Sequence, residues 1–561
     1  MNATILAVIG LGAIFAGYRF YSKFIAEKIY QLDPNFETPA HAQRDDVDYL
    51  PTNRVVLWGH HFTAVAGAAP IIGPGIAVIW GWLPAFLWVI FGTMFFAGVH
   101  DFGAVWASVR NRAKSVGALT GDVVSARART LFMIVVFFLL MMVNAVFGVA
   151  ISVELQSTPS AVIPTWTAVA VAIAIGILIY RMHVPILWPT IVGTLILYAV
   201  IYLGELVPLS LPAEFLGMAP GAQWIIILFI YAGIASLLPV WLLLQPRDYI
   251  NGIQLFVGLG LLYGAVMIAS PTIVAPAINP NVPASAPPIF PLLFVTIACG
   301  AISGFHGLVG SGTTSKQLDK ETDARFVGYL GSSGEGALAL VAIIAATAGF
   351  ASIDDWNALY SDFGNGGMGA FVTGGATIVS GGVGISYEFA ATLLTVMAVL
   401  FAGTTMDAGV RLQRYIIQEW GSIYQIPVLQ NGYVATMAAV SACLLLAFGA
   451  GGPSGEGGML IWPLFGTTNQ LLAGLTLLVI SVMLVKLGRP ARYTLLPMLF
   501  ITSMALAAAV SQLRTLYEEG GITYFLLWID AVIVVLAILV LLEAGSAFFR
   551  ARRAAETGAT A

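Results

Sequence analysis

Apolar runs of about 20 residues, each long enough to cross a bilayer core, recur from one end of this chain to the other, separated by charged or Pro/Gly-rich stretches. They predict fifteen crossings, at 4–21, 55–80, 82–108, 130–153, 162–180, 185–205, 223–244, 252–271, 291–310, 326–350, 368–405, 431–449, 459–485, 493–513 and 522–547. The runs are continuous, unlike the short alternating segments of a β-barrel. The expected fold class is therefore an all-α polytopic membrane protein. The 368–405 segment is too long for one helix, and its "TGGATIVSGGVG" stretch predicts an interruption or a partly re-entrant turn.

Helix breakers fall unevenly. With the first span and the last four set aside, the remaining ten divide into two sets of five with opposite orientation, 55–205 and 223–405. They follow an N-terminal span and loop (1–54) and precede a four-span bundle (431–549). Two such units are what an inverted-repeat transporter requires, and interrupted helices at matching positions mark its substrate site. The leading span of the first unit carries "GAAPIIGPG" and that of the second "YAGIASLLP". Unwound backbone at membrane depth survives where it lines a cavity or binds something. The predicted substrate site is His61, Thr63, Gly67, Ala68 and Gly73, with the stretch from Gly67 to Gly75 unwound, facing Gly233 and Ser236.

Charge sets the orientation. Only 9% of the 561 residues are charged, against about 25% in soluble domains, and Lys and Arg gather in cytoplasmic loops of membrane proteins. With the N-terminus outside, those loops receive nearly every basic residue, including Arg54, Arg110, Lys114, Lys316, Lys486 and the tail from Arg550, and only Arg514 falls outside. The C-terminus is then cytoplasmic. The first apolar segment reads as a retained span rather than a signal peptide. Cys299 and Cys443 sit in apolar runs without a CxxC, which predicts neither a disulfide framework nor a thiolate metal site. No Walker A stretch cradles ATP phosphates, so transport would run on a gradient. The expected partners are a small-molecule substrate and the lipid bilayer, without nucleic acid; oligomeric state stays open.

Ionisable groups within spans cost ~2.5–3.5 kcal/mol each on insertion scales, so each suggests function. Here they are His60, His61, the His100–Asp101 pair, His306, Glu335 and Asp407, with Glu388 beyond the eleventh-span interruption. His306 lies among Ser303, Ser311, Thr313 and Thr314, where hydroxyls and an imidazole suit cation coordination or proton passage. His100–Asp101 reads as a hydrogen bond to another helix, a loop cap or part of a relay. Glu335 and Asp407 read as structural partners of a Lys or Arg, Asn469–Gln470 as interhelical glue, and Arg247–Asp248 as a tight turn or, alternatively, a gate salt bridge.

At six collinear motifs the chain resembles the carbon starvation protein A family of inner-membrane transporters. These are "HHFTAVAGAAPIIGP", "FAGVHDFGAVWASVR", "LQPRDYINGIQ", "GAISGFHGLVGSGTTSKQL", "FAGTTMDAGVRLQRYI" and "IWPLFGTTNQLLAG", spread over about residues 55–475. The resemblance implies uptake of peptides or pyruvate during nutrient limitation and a LeuT-like 5+5 inverted repeat with extra N- and C-terminal helices. It also implies a coupling site where the backbone from Ala64 to Ala68 meets Ser303, His306 and Gly307. Imidazole titrates in the physiological range, which favours protons over sodium as the coupling ion, with no cofactor. The competing reading is a membrane metalloenzyme ligated by His60, His61, His100 and His306, against which stands the absence of any HxxH spacing.

Overall fold

The computed structural model describes residues 1–45, 48–452, 455, 460–520 and 524–556. The first residues of the expected 459–485 and 522–547 spans fall outside them. Among the described residues the secondary structure is helical, with three isolated β-bridges and no strand.

Among the described residues, thirteen helices are long and apolar enough to cross a membrane unbroken. One further pair, α2 (Arg54–Val65) and α3 (Ala69–Trp80), forms an interrupted span bent by 51°. Ahead of it lies α1 (Ala3–Tyr30), and after it come α4 (Trp82–Arg110), α5 (Ala126–Ser157), α6 (Pro159–Tyr180), α7 (Leu187–Leu206), α8 (Pro220–Leu237) and α9 (Leu244–Ala269). The expected 291–310 span is itself interrupted, into α10 (Ile289–Thr296) and α11 (Gly304–Val309). Then follow α12 (Glu321–Ala348), α13 (Met368–Val383), α14 (Tyr387–Ile423), α15 (Gly432–Ala450), α16 (Trp462–Lys486), α17 (Arg492–Glu518) and α18 (Tyr524–Arg553).

Two sequence expectations are corrected and a third is met. The unwound part of the first interrupted span is short: Ala66 ends α2 at φ −79°, ψ 67°, and helix resumes at Ala69. Pro70 sits in the first turn of α3, where its missing N–H leaves no gap. Gly73 is therefore helical, and its bare Cα serves packing, since a Cβ would meet the Thr296 carbonyl oxygen at 2.5 Å.

The second correction moves an interruption. Helix α8 runs unbroken through Gly233 and Ser236 and ends at Leu237, with Leu238 extended at φ −69°, ψ 150°. Pro239 follows, and a residue before proline is driven out of the helical region. The Gly/Ser/Pro cluster thus writes a helix terminus. The second interruption lies at residues 297–303, where Gly300 takes φ +89°.

The third concerns 368–405, which is two helices turning at Gly384 (φ +80°). Helix α13 is shorter than a span and lies across helix ends. Gly374 packs on the ends of α12 at Ala345 and Gly349, Gly382 meets Ala265 near the end of α9, and the preceding Gly367 meets Ile72 and Ile76 of α3.

The two interrupted spans run antiparallel, side by side. Thr52 N–H donates to the Gln317 carbonyl at one end (3.0 Å), and Trp80 Nε1 donates to the Pro287 carbonyl at the other (3.1 Å). Arg54, Arg110, Lys114 and Lys316 gather at the first end, paired with Asp323, Glu321, Asp122 and Asp48. That end is the basic face, and the opposite end, covered by α13, is the far face. Around the pair, α5 and α14 pack along each other, α8 and α15 pack against both, and α16 carries α17 and α18. The α6–α7 hairpin is peripheral and exposes Leu187, Trp188, Ile191, Val192 and Leu195.

Candidate functional site

A line of four ionisable side chains lies buried where α4, α11 and α12 meet. Asp101 Oδ1 is 2.7 Å from His100 Nδ1, and its Oδ2 is 2.8 Å from His306 Nδ1. His306 Nε2 in turn lies 3.2 Å from Glu335 Oε1. His100, Asp101 and His306 have no solvent exposure and Glu335 has 1%. An ionised carboxylate only accepts hydrogen bonds, so with Asp101 ionised both Nδ1 atoms carry protons and both Nε2 atoms face away from it. One proton then serves the contact between His306 and Glu335, resting on the imidazole or on the carboxyl. A chain of this kind can hold and hand on a proton inside the membrane.

The elements that aim these groups are irregular. Wide π turns at Thr93–Ala97, Gly310–Thr314 and Arg325–Tyr329 adjoin His100, His306 and Glu335 respectively, and such turns frequently accompany functional sites. Gly307 lets α4 and α16 close in, since a Cβ there would stand 2.9 Å from Thr476 Oγ1 and 3.4 Å from His100 Cε1. His61 is buried beside the cluster with Nδ1 2.8 Å from Thr314 Oγ1 and Nε2 unpartnered.

The interruption at 297–303 is held by Asn469. Its Oδ1 accepts from the Phe305 N–H (3.1 Å), and its Nδ2 donates to Ser303 Oγ (3.1 Å) and faces Cys299 Sγ (3.5 Å). Asn469 thus satisfies backbone that the missing helical turn leaves open, a more specific task than interhelical glue.

A cavity of about 450 Å³ enters from the basic face and is lined by His60, Thr63, Ala64, Ala66, Thr313 and Arg411. It ends at Phe305 and Thr405. Beyond them lies a small void of about 20 Å³ between Gly67, Cys299, Phe147 and Phe465, which shares Phe305 and Thr405 as walls. A far-face cavity of about 680 Å³ is lined by residues of neither interruption.

Most of the residues singled out in the sequence therefore converge. His100, Asp101, Ser303, His306 and Gly307 meet at the relay, Gly67 and Ala68 lie at the first interruption, and Thr63, Ala64 and Thr313 line the cavity. Gly73 is offset into helix packing, and Gly233 and Ser236 pack against Val440 and Thr436 of α15, away from both interruptions. Glu335 was expected to pair with a Lys or Arg, but its partner is His306. Arg247, expected in a tight turn, lies within α9 and pairs with Asp407 of α14, and Tyr231 OH donates to the same carboxylate oxygen at 2.8 Å. The four imidazoles of the metalloenzyme reading do not converge; the metal-type grouping found among the described residues is Cys299, His306 and Glu335.

Two antiparallel interrupted helices, with a buried chain of imidazoles and carboxylates beside them, define a polytopic membrane transporter. The fold matches the crystal structure of the Eremococcus coleocola manganese transporter in complex with an aromatic bis-isothiourea substituted compound. That match has a TM-score of 0.53 at 12% identity, over 91% of this chain and 99% of the other. The chain belongs to the carbon starvation protein CstA family, whose model matches residues 2–361 and 358–508. It is 33% identical to the peptide transporter CstA of Campylobacter jejuni over 93% of this chain and 82% of that protein. It is 30% identical to the peptide transporter CstA of Bacillus subtilis (97% and 96% covered) and 30% to the pyruvate/proton symporter BtsT of Escherichia coli (87% and 78%).

Proposed function

We propose that this protein is an inner-membrane, proton-coupled symporter that takes up small organic nutrients, peptides or pyruvate, by alternating access. The observation that carries the reading is the Glu335–His306–Asp101–His100 chain, buried beside two interrupted helices. Relatives named for peptide transport and for pyruvate/proton symport support the substrate class and the coupling ion. The substrate site is the inner end of the 450 Å³ cavity, against Ala66, Phe305 and Thr405. The void beyond at Gly67, Cys299 and Phe147, with room for about one water, enlarges it when Phe305 and Thr405 move apart.

The thirteen unbroken helices and the two interrupted ones make fifteen crossings, with α13 lying on the far face. The basic face is cytoplasmic, which sets the N-terminus outside and the C-terminus inside. The cavity on that face corresponds to an inward-open state. Two inverted units are supported by packing: α8 contacts α5, α14 and α15, and α15 contacts α14, α5 and α8 in return. The first unit is then α2–α3, α4, α5, α8 and α9, interrupted by the α6–α7 hairpin. The second is α10–α11, α12, α14, α15 and α16. On this reading the border between units falls after 269 rather than after 205, with the apolar hairpin turned to lipid.

The test is uptake into proteoliposomes of labelled di- and tripeptide against labelled pyruvate, with and without an imposed proton gradient. Accumulation of one solute that depends on the gradient is the expected result. Uptake that ignores the gradient would remove proton coupling from the reading.

A further inference from the structure

We infer that Cys299, His306 and Glu335 form a binding site for a divalent transition ion of the zinc class, set where ion and proton compete for one imidazole nitrogen. The Cys299 sulfur, a ring nitrogen of His306 and a carboxylate oxygen of Glu335 lie within 4.8 Å of one another. One ion at bond lengths of about 2.0–2.3 Å reaches all three with small side-chain adjustments.

A second observation is independent of that grouping. Glu335 Oε2 is buried without a hydrogen-bond partner, and Glu335 Oε1 and His306 Nε2 face only each other, at 3.2 Å. Buried polar atoms so poorly satisfied are costly, and a cation held by the imidazole and the carboxylate satisfies them.

The surroundings fit as well. His306 Nδ1 rests on Asp101 Oδ2 at 2.8 Å, the carboxylate–imidazole arrangement that orients a metal-binding ring and raises its basicity. The Cys299 sulfur is further held by Ser303 Oγ (3.2 Å) and Asn469 Nδ2 (3.5 Å). Sulfur, imidazole and carboxylate together suit zinc, cobalt or ferrous ions, whereas magnesium and calcium favour all-oxygen sets. Cys299 borders the small void behind Phe305 and Thr405, which has room for a fourth, water ligand.

On binding, the Cys299 S–H bond breaks, a sulfur–metal bond forms, and the proton leaves by the cavity, so affinity rises with pH. The consequence for transport rests on the relay proposed above: an ion on His306 Nε2 removes the nitrogen that faces Glu335 and arrests coupling.

The experiment is a titration of the purified full-length protein with Co²⁺, which does not depend on transport and therefore fails separately from the symport reading. One equivalent is expected to give a sulfur-to-cobalt band in the near ultraviolet, displaced by Zn²⁺. Cys443→Ser keeps the band, Cys299→Ser and Glu335→Gln lose or reshape it, and Asp101→Asn weakens binding about 10- to 100-fold. No band in the wild type, a band that survives Cys299→Ser, or one that disappears in Cys443→Ser overturns the site.

Discussion

His306 and Glu335 stand 3.2 Å apart, ring nitrogen to carboxylate oxygen, with almost no solvent exposure on either side chain. A single proton shared across that contact has two resting places, and moving it leaves the Asp101 end of the chain intact. Glu335→Gln removes one resting place while keeping size and shape. The expected outcome is that gradient-driven accumulation falls to background whereas exchange of labelled for unlabelled substrate continues. A variant that still concentrates substrate against its gradient would take Glu335 out of the coupling step.

Asp101→Asn changes the middle of the chain. An amide offers one acceptor where two imidazole N–H groups need one each, so a donor faces a donor in a buried site. Leaving a buried group unsatisfied costs about 1–3 kcal/mol. The measurement is the melting temperature of the purified protein beside its uptake rate, and both are expected to fall.

Gly67 has a Thr405 hydroxyl where a Cβ would go, at 2.6 Å. Overpacking a filled site costs typically 1–3 kcal/mol, and here the added atoms enter the void between the interruptions. Gly67→Leu is expected to abolish substrate binding with the protein still monodisperse. Binding at wild-type affinity, read by isothermal calorimetry, would place the substrate elsewhere.

Arg247 and Asp407 are each 3% exposed and share Tyr231 as a third partner. Removing one member of a buried pair strands the other charge at a cost of about 3–5 kcal/mol. Arg247→Met should therefore be the more damaging single change, and Arg247→Met with Asp407→Leu should recover much of the loss. A double-mutant cycle on thermal unfolding decides this.

Ser125 and Ser285 report orientation. A cysteine at 125 should react with a membrane-impermeant thiol reagent from the cytoplasmic side and one at 285 from outside. The opposite pattern would invert the assignment of the basic face.

The spans were legible in the sequence because lipid tolerates only long apolar runs, and the relay histidines because a titratable group inside such a run is conspicuous. His100, Asp101 and His306 could be named on that ground, though their mutual contacts could not, since 205 residues separate Asp101 from His306. Glu335 carried the same signal and was assigned a cationic partner because nothing in the chain says which helix it faces. The second interruption was misplaced for a local reason. Pro239 ends a helix as readily as it breaks one, while the true gap at 297–303 sits in a glycine run that also reads as close packing. The spans of the α6–α7 hairpin were read at 162–180 and 185–205, but the proposed insertion was not legible, because an inserted pair of spans leaves the alternation of basic loops undisturbed.

Helix α13 lies over the far-face ends of α3, α9 and α12, three elements drawn from both proposed units. Such a strap ties together parts that must separate for substrate to arrive from outside. Under alternating access, opening on that side would lift the strap at its ends, Gly367 and Gly384, whose φ angles of +89° and +80° suit glycine. A disulfide stapling residue 382 to residue 265 would freeze the carrier shut on that side, leaving it able to release cargo inward once and never to reload.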